Sequence, residues 1–188
     1  KPALIGWASN QAVDYASSQI KPGVAYDELE LQKVWEASRK AHWQKKVDAG
    51  NIGSLIHKWV EEFIKGKNPE LPINKMLQES VKKFLAWVDE HQVKFLISEQ
   101  VCYSRKFKYV GTLDFICRID GKVYVGDVKS SKRIYPEHHI QTSAYQNALL
   151  ETEDYKIDGS VVVNCTKDGD LLVDYSYEYE ENRAAFMA

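Results

Sequence analysis

Asp114, Asp127 and Lys129 stand in two short segments, Gly111-Thr112-Leu113-Asp114 and Gly126-Asp127-Val128-Lys129, with Asp120-Gly121 between them. Asp-Gly between two runs rich in β-branched and aromatic residues is a strong signal for a two-residue hairpin turn. Such a turn sets Ile119 opposite Lys122, and the same register sets Asp114 opposite Asp127. The two Cβ atoms would lie about 5 Å apart on one face of the sheet. Like charges so placed repel, so a fold that keeps them implies a counter-charge, and a divalent cation shared by two carboxylates is the obvious one. Lys129 follows Asp127 by two residues and shares its face. Two carboxylates and an ammonium on one face suit metal-assisted cleavage of a phosphodiester.

Two further stretches interleave cations with aromatic rings: Arg105-Lys106-Phe107-Lys108-Tyr109 and Lys132-Arg133-Ile134-Tyr135. Single-stranded nucleic acid binds to such mixtures through phosphate contacts and base stacking. A solvated loop with packed rings reads the same way. His138-His139 could suggest a zinc pair, but adjacent residues on a helix point apart, so both are expected at the surface.

These residues need a sheet with helices around it. Helical patterning covers Lys1 to about Ser18 and is broken by Lys21-Pro22-Gly23. It resumes from Asp27 to about Ala49, where Gly50-Asn51 is expected to end it. Further helices are expected from about Ser54 to Lys65 and from about Ile73 to His91. Trp35, Trp43, Trp59 and Trp87 fall on them and read as packing residues. The period then changes to two. Strands are expected over Lys94–Tyr103, Lys108–Ile119 and Lys122–Lys129, a helix from Pro136 to about Glu151, and strands over Ser160–Thr166 and Leu171–Tyr179.

At 188 residues and 44% hydrophobic content the chain fits one domain over 1–188. Its 1–92 part is mainly helical and 93–180 holds a sheet-and-helix core. A formal charge of −2 gives no general attraction to nucleic acid, so phosphate contacts must come from local patches. Cys102, Cys117 and Cys165 are odd in number and lack CxxC spacing, which speaks against a disulfide framework and a cysteine zinc site. With no signal peptide and no membrane-spanning run, the expected setting is a reducing cytoplasm. The chain begins at Lys1 without a methionine, so upstream residues could have been removed.

The succession Gly-Thr-Leu-Asp114, Asp127-Val-Lys129 and Gln141-Thr-Ser-Ala-Tyr145, preceded by Gly53-Ser-Leu-Ile-His57 with Lys-Trp-Val-Glu61, resembles the PD-(D/E)xK nuclease superfamily. The similarity is greatest to its RecB-like branch, which includes phage and mitochondrial single-strand exonucleases, and spans roughly residues 50 to 165. It implies an α/β restriction-endonuclease-like core with αβββαβ order and a helical N-terminal elaboration. It implies Mg²⁺ or Mn²⁺ on Asp114, Asp127, His57 and the Val128 carbonyl, with Lys129, Gln141 and Tyr145 completing the catalytic set. Arg105, Lys106, Lys108, Lys132, Arg133 and Tyr145 would contact DNA, and Glu99 matches a frequent acidic position. The iron–sulfur cysteines of one subgroup are missing, so no cluster is expected. The implied activity is an exonuclease on single-stranded DNA ends, bacterial or phage-encoded rather than mitochondrial, serving repair, recombination or replication alongside proteins of those processes. The competing readings are a structure-specific or restriction-type endonuclease and a non-catalytic DNA-binding subunit.

Overall fold

The computed structural model describes residues 2–152 and 156–188, with side chains other than those of 2–5 and 42–51. The chain divides into two compact units, Lys1–Asn51 and Ile52–Ala188. The first holds helix α1 (Pro2–Gln19) and the beginning of α2 (Glu28–Ile64). Asp27 starts α2 with a reciprocal cap: its Oδ1 accepts the Glu30 N–H at 2.7 Å, and its own N–H donates to Glu30 Oε2 at 3.0 Å. Trp35 is 51% exposed, against its expected packing role, while Trp43 lies outside the described side chains.

α2 does not end at Gly50-Asn51 as expected, but continues to Ile64. A glycine inside a helix costs only about 1 kcal/mol, and apolar positions further on can hold the helix together.

In the second unit Ile56, Trp59 and Val60 of α2 pack with Leu77, Val81, Phe84 and Trp87 of α3 (Lys75–Glu90). Asn74 caps α3, its Oδ1 accepting the N–H groups of Met76 and Leu77. These helices cover one face of a five-stranded sheet ordered β1 (Lys94–Ser104), β2 (Tyr109–Ile119), β3 (Lys122–Lys129), β4 (Gly159–Cys165), β5 (Leu171–Ser176). Phe115, Val128, Val161 and Val163 supply the sheet side of that core. Each fully buried side chain of this size contributes about 1.5–3 kcal/mol.

The opposite face is covered by α4 (Pro136–Thr152), through Tyr145, Ala148 and Leu149 against Cys102, Leu113, Ile116 and Val125. α4 connects β3 to β4, the one parallel pair in the sheet. β4 is buried along all seven residues, as a central strand with both faces covered must be. Cys102, Cys117 and Cys165 are free and buried.

β2 and β3 are joined as expected. Asp120 and Gly121 have φ of 49° and 79°, as the hairpin turn that matches strand twist requires. The ladder runs from Ile119↔Lys122 to Phe115↔Gly126. The result is an α/β fold with a mixed sheet between helices, consistent with the expected restriction-endonuclease-like core.

The last strand ends at Ser176 rather than at Tyr179, and a helix for which no element was expected, α5 (Tyr179–Met187), follows. It lies against α4 and the start of β2: Tyr179 OH donates to Asn147 Oδ1 at 3.3 Å, and the Phe186 ring meets Tyr109 at 5.0 Å. Among the described residues no helix is long and apolar enough to cross a membrane.

Candidate active site

The β2–β3 ladder stops one pair short of the two carboxylates. The register is the one that Asp120-Gly121 implies, but the strands part at Asp114, whose Oδ2 accepts the Val128 N–H at 2.6 Å. β3 continues along β4 as far as Lys129↔Asn164. On its other side Asp114 is again unpaired. Ser98↔Phe115 and Gln100↔Leu113 flank it, and Glu99, which would face it, takes φ of 53°. A non-glycine residue in that conformation costs of order 1 kcal/mol or more. Asp114 therefore sits at a break in the sheet.

Asp127 is 2% exposed. Its Oδ2 forms an ion pair with Lys129 Nζ at 2.5 Å. Burial pushes its carboxyl up to about 6, with Lys129 opposing the rise and Asp114 adding to it. Lys129 Nζ donates to Gln141 Oε1 at 3.0 Å. An ammonium can only donate, so Gln141 must turn its oxygen toward Lys129 and its amide nitrogen toward Tyr145 OH, with which it forms a hydrogen bond. Burial raises the Tyr145 phenol to about 12, and it stays neutral at ordinary pH. Gly111 makes room for that ring, since a Cβ there would meet Tyr145 Cε1 at 2.6 Å.

His57 arrives from α2. Its Nδ1 lies 3.5 Å from Asp114 Oδ1, and this contact raises its pKa against the opposing effect of burial. Gly53 is four residues earlier and so on the same side of the helix. A Cβ at Gly53 would come within 2.9 Å of Ser130 Oγ, just past the end of β3. The missing side chain lets α2 approach β3 closely enough for His57 to reach Asp114.

Asp114, Asp127, Lys129, His57, Gln141 and Tyr145 thus meet at the open end of β3. Val128 turns its side chain into the core on the other face. Among the described residues no three His, Cys, Asp or Glu side chains already converge as a finished metal cage. The donors present are nevertheless hard carboxylate oxygens beside one imidazole, and two carboxylates facing one ammonium leave negative charge that a bound cation would balance. That set fits Mg²⁺ or Mn²⁺.

The five basic residues among the expected nucleic-acid contacts share one property. Arg105, Lys106, Lys108, Lys132 and Arg133 form no ion pair with a carboxylate among the described residues, whereas Lys65, Lys82, Lys83 and Arg183 do. Arg105 lies 5.6 Å over the Tyr103 ring, Lys106 5.1 Å over Phe107 and Arg133 4.8 Å over Tyr135.

His139 corrects its surface assignment. It is pinned between α4 and the sheet, with Nε2 3.0 Å from Asp174 Oδ2 and Nδ1 3.5 Å from Ser160 Oγ. Asn164 escaped notice in the sequence. Its side chain accepts the Ser131 N–H at 2.9 Å and donates to the Ser131 carbonyl at 3.0 Å, holding the segment that follows Lys129. A lone amide inside Val-Val-Val-Asn-Cys is the signal that could have shown it.

No protein-family model matches the chain, and no curated protein matches it. Among solved structures the chain is similar to the crystal structure of a Eubacterium rectale protein named "Putative exonuclease". The two share 14% identity at a TM-score of 0.47, over 72% of this chain and 63% of that one. The chain therefore spans less than two thirds of that protein's length. At that distance the likeness carries nothing about activity.

Proposed function

We propose that the chain is a metal-dependent deoxyribonuclease, hydrolysing phosphodiester bonds as an exonuclease on single-stranded DNA ends, in repair, recombination or replication. One observation carries this reading: the buried Asp127 carboxylate, ion-paired to Lys129 at 2.5 Å, lies beside Asp114 at a break in the sheet, with His57 3.5 Å from Asp114. Mg²⁺ or Mn²⁺ held by Asp114, Asp127, His57 and the Val128 carbonyl would supply Lewis-acid polarisation of the phosphoryl oxygen and a more acidic water.

The chain's own groups do the rest. Gln141 holds the Lys129 ammonium in place, so that its remaining protons can steady a nucleophilic water or the charge that grows on the phosphate. Gln141 donates to the Tyr145 oxygen, which leaves the phenolic proton free to donate to a phosphate oxygen. The unpaired Arg105, Lys106, Lys108, Lys132 and Arg133 attract the phosphate backbone, and their neighbouring rings offer surfaces for stacking bases.

The test is incubation with end-labelled single- and double-stranded DNA in Mg²⁺, in Mn²⁺ and in EDTA. Metal-dependent loss of single strands is expected. Binding without turnover in either metal would favour a non-catalytic role.

A further inference from the structure

Glu151 ends α4 with a carboxylate that is filled by one turn of the chain. Its Oε1 accepts from Ser104 Oγ at 2.7 Å and from Asn147 Nδ2 at 2.9 Å. Its Oε2 accepts the backbone N–H groups of Arg105 at 3.0 Å and Lys106 at 3.3 Å. Ser104 Oγ in turn accepts the Phe107 N–H at 2.9 Å, and the Lys108 N–H closes on the Ser104 carbonyl at 2.9 Å. Asn147 also donates to Tyr109 OH, which donates to the Ala144 carbonyl.

The arrangement is selective. Among the described residues Glu151 binds the backbone of this basic turn and forms no ion pair with its cations. Arg105 and Lys106 lie over rings, and neither they nor Lys108 pair with a carboxylate among the described residues. A charged turn kept rigid and left unneutralised is suited to a polyanion. α4 also carries Gln141, which holds Lys129. Gln141 and Glu151 are ten residues apart, or about 15 Å along a helix. The path along β2 from Tyr109 to Asp114 is about 17 Å.

Resting on the nuclease reading above, we propose that Glu151 is a positioning residue. It fixes the Arg105–Lys108 turn as a second phosphate-binding point at a set distance from the cleavage centre. The two estimates correspond to about four to five stacked nucleotides at 3.4 Å each. A strand must exceed that length to engage both points.

The test compares fluorescent oligothymidylates of about five and about twenty nucleotides. Dissociation constants are measured in EDTA and kcat/KM in Mg²⁺ or Mn²⁺, for the intact chain and for its variants. The intact chain should bind the longer strand more tightly. Glu151→Ala should reduce that long-to-short advantage about tenfold, as loss of a contact to a charged group implies. The joint change of Arg105, Lys106 and Lys108 to Ala should reduce it equally with the clamp in place. Glu151→Gln keeps one acceptor oxygen in the same volume and should lie between; it replaces the Ala variant if that fails to fold. Loss of the advantage in the triple variant but not in the Glu151 variants would overturn the positioning role, as would no loss in any of them. Absence of cleavage throughout would sink the nuclease reading, while the dissociation constants would still decide the role of Glu151.

Discussion

Burial, and the nearby Asp114, disfavour charge on Asp127, whose carboxyl is pushed from 3.8 up to about 6. The native state therefore keeps a proton that the unfolded chain has already released, and without metal stability must fall as pH rises through that window. The loss is on the order of 3 kcal/mol. Thermal melts in EDTA from about pH 4 to 7 should show this slope, and Asp127→Asn should flatten it; equal slopes would rule the account out. The same Asp127→Asn change, or Asp114→Asn, should abolish cleavage and metal binding with the fold intact. Wild-type metal affinity by calorimetry in either variant would sink that claim. His57 is the milder case. Its side chain is 36% exposed, so His57→Ala should cost little stability, weaken metal binding and recover activity at high Mn²⁺. Its neighbour Ile56 is fully buried, and truncation there should cost about 2–5 kcal/mol. If His57→Ala instead lost that much stability at full activity, the imidazole would be packing. Asp114, Asp127 and Lys129 are legible in the sequence because a two-residue turn fixes their register locally. The positive φ of Glu99 is not, since it arises where β1 has to pass Asp114.

Glycines set how closely the elements approach. A Cβ on Gly126 would lie 1.9 Å from Phe115 Cε2, inside the core between β3 and β2. Gly126→Ala should therefore destabilise the protein by about 3 kcal/mol, at the upper end of overpacking, and denaturant titration checks it. Gly53→Ala should behave differently. The new methyl would meet the end of a serine side chain, which can turn away, so stability should change little. Activity should fall further than stability, because α2 carries His57. Comparable losses in both would show that Gly53 merely packs. Most elements were readable from period and punctuation, down to the bounds of β3. The end of α2 and the existence of α5 were not. Gly50-Asn51 is a stop signal only if nothing beyond it rewards continuation. α5 has no buried residue of its own and is recognisable only through Tyr109 and Asn147 on its partners. Gln146 and Asn147, which no sequence pattern singled out, are buried in the fold.

A chain of charge −2 cannot draw in DNA by its overall field. The unpaired cations make capture local, so binding should weaken steeply with salt, and removing Arg105, Lys106 and Lys108 should flatten that dependence. A linear single strand should be degraded to short products while a circular strand of the same sequence survives; efficient cutting of the circle would promote the endonuclease reading. The three buried cysteines give the molecule a clock of its own. Burial raises the thiols of Cys102, Cys117 and Cys165 to about 11, 12 and 12, so near neutral pH they are neither ionised nor reachable. An alkylating reagent can mark them only when the sheet opens, and the rate of marking counts those openings. A cation that holds Asp114 and Asp127 together at the break in the sheet binds only the closed form, and so must slow the count. Asp127→Asn should erase that slowing, which makes the occupancy of the site measurable at three sulfur atoms with no DNA in the tube.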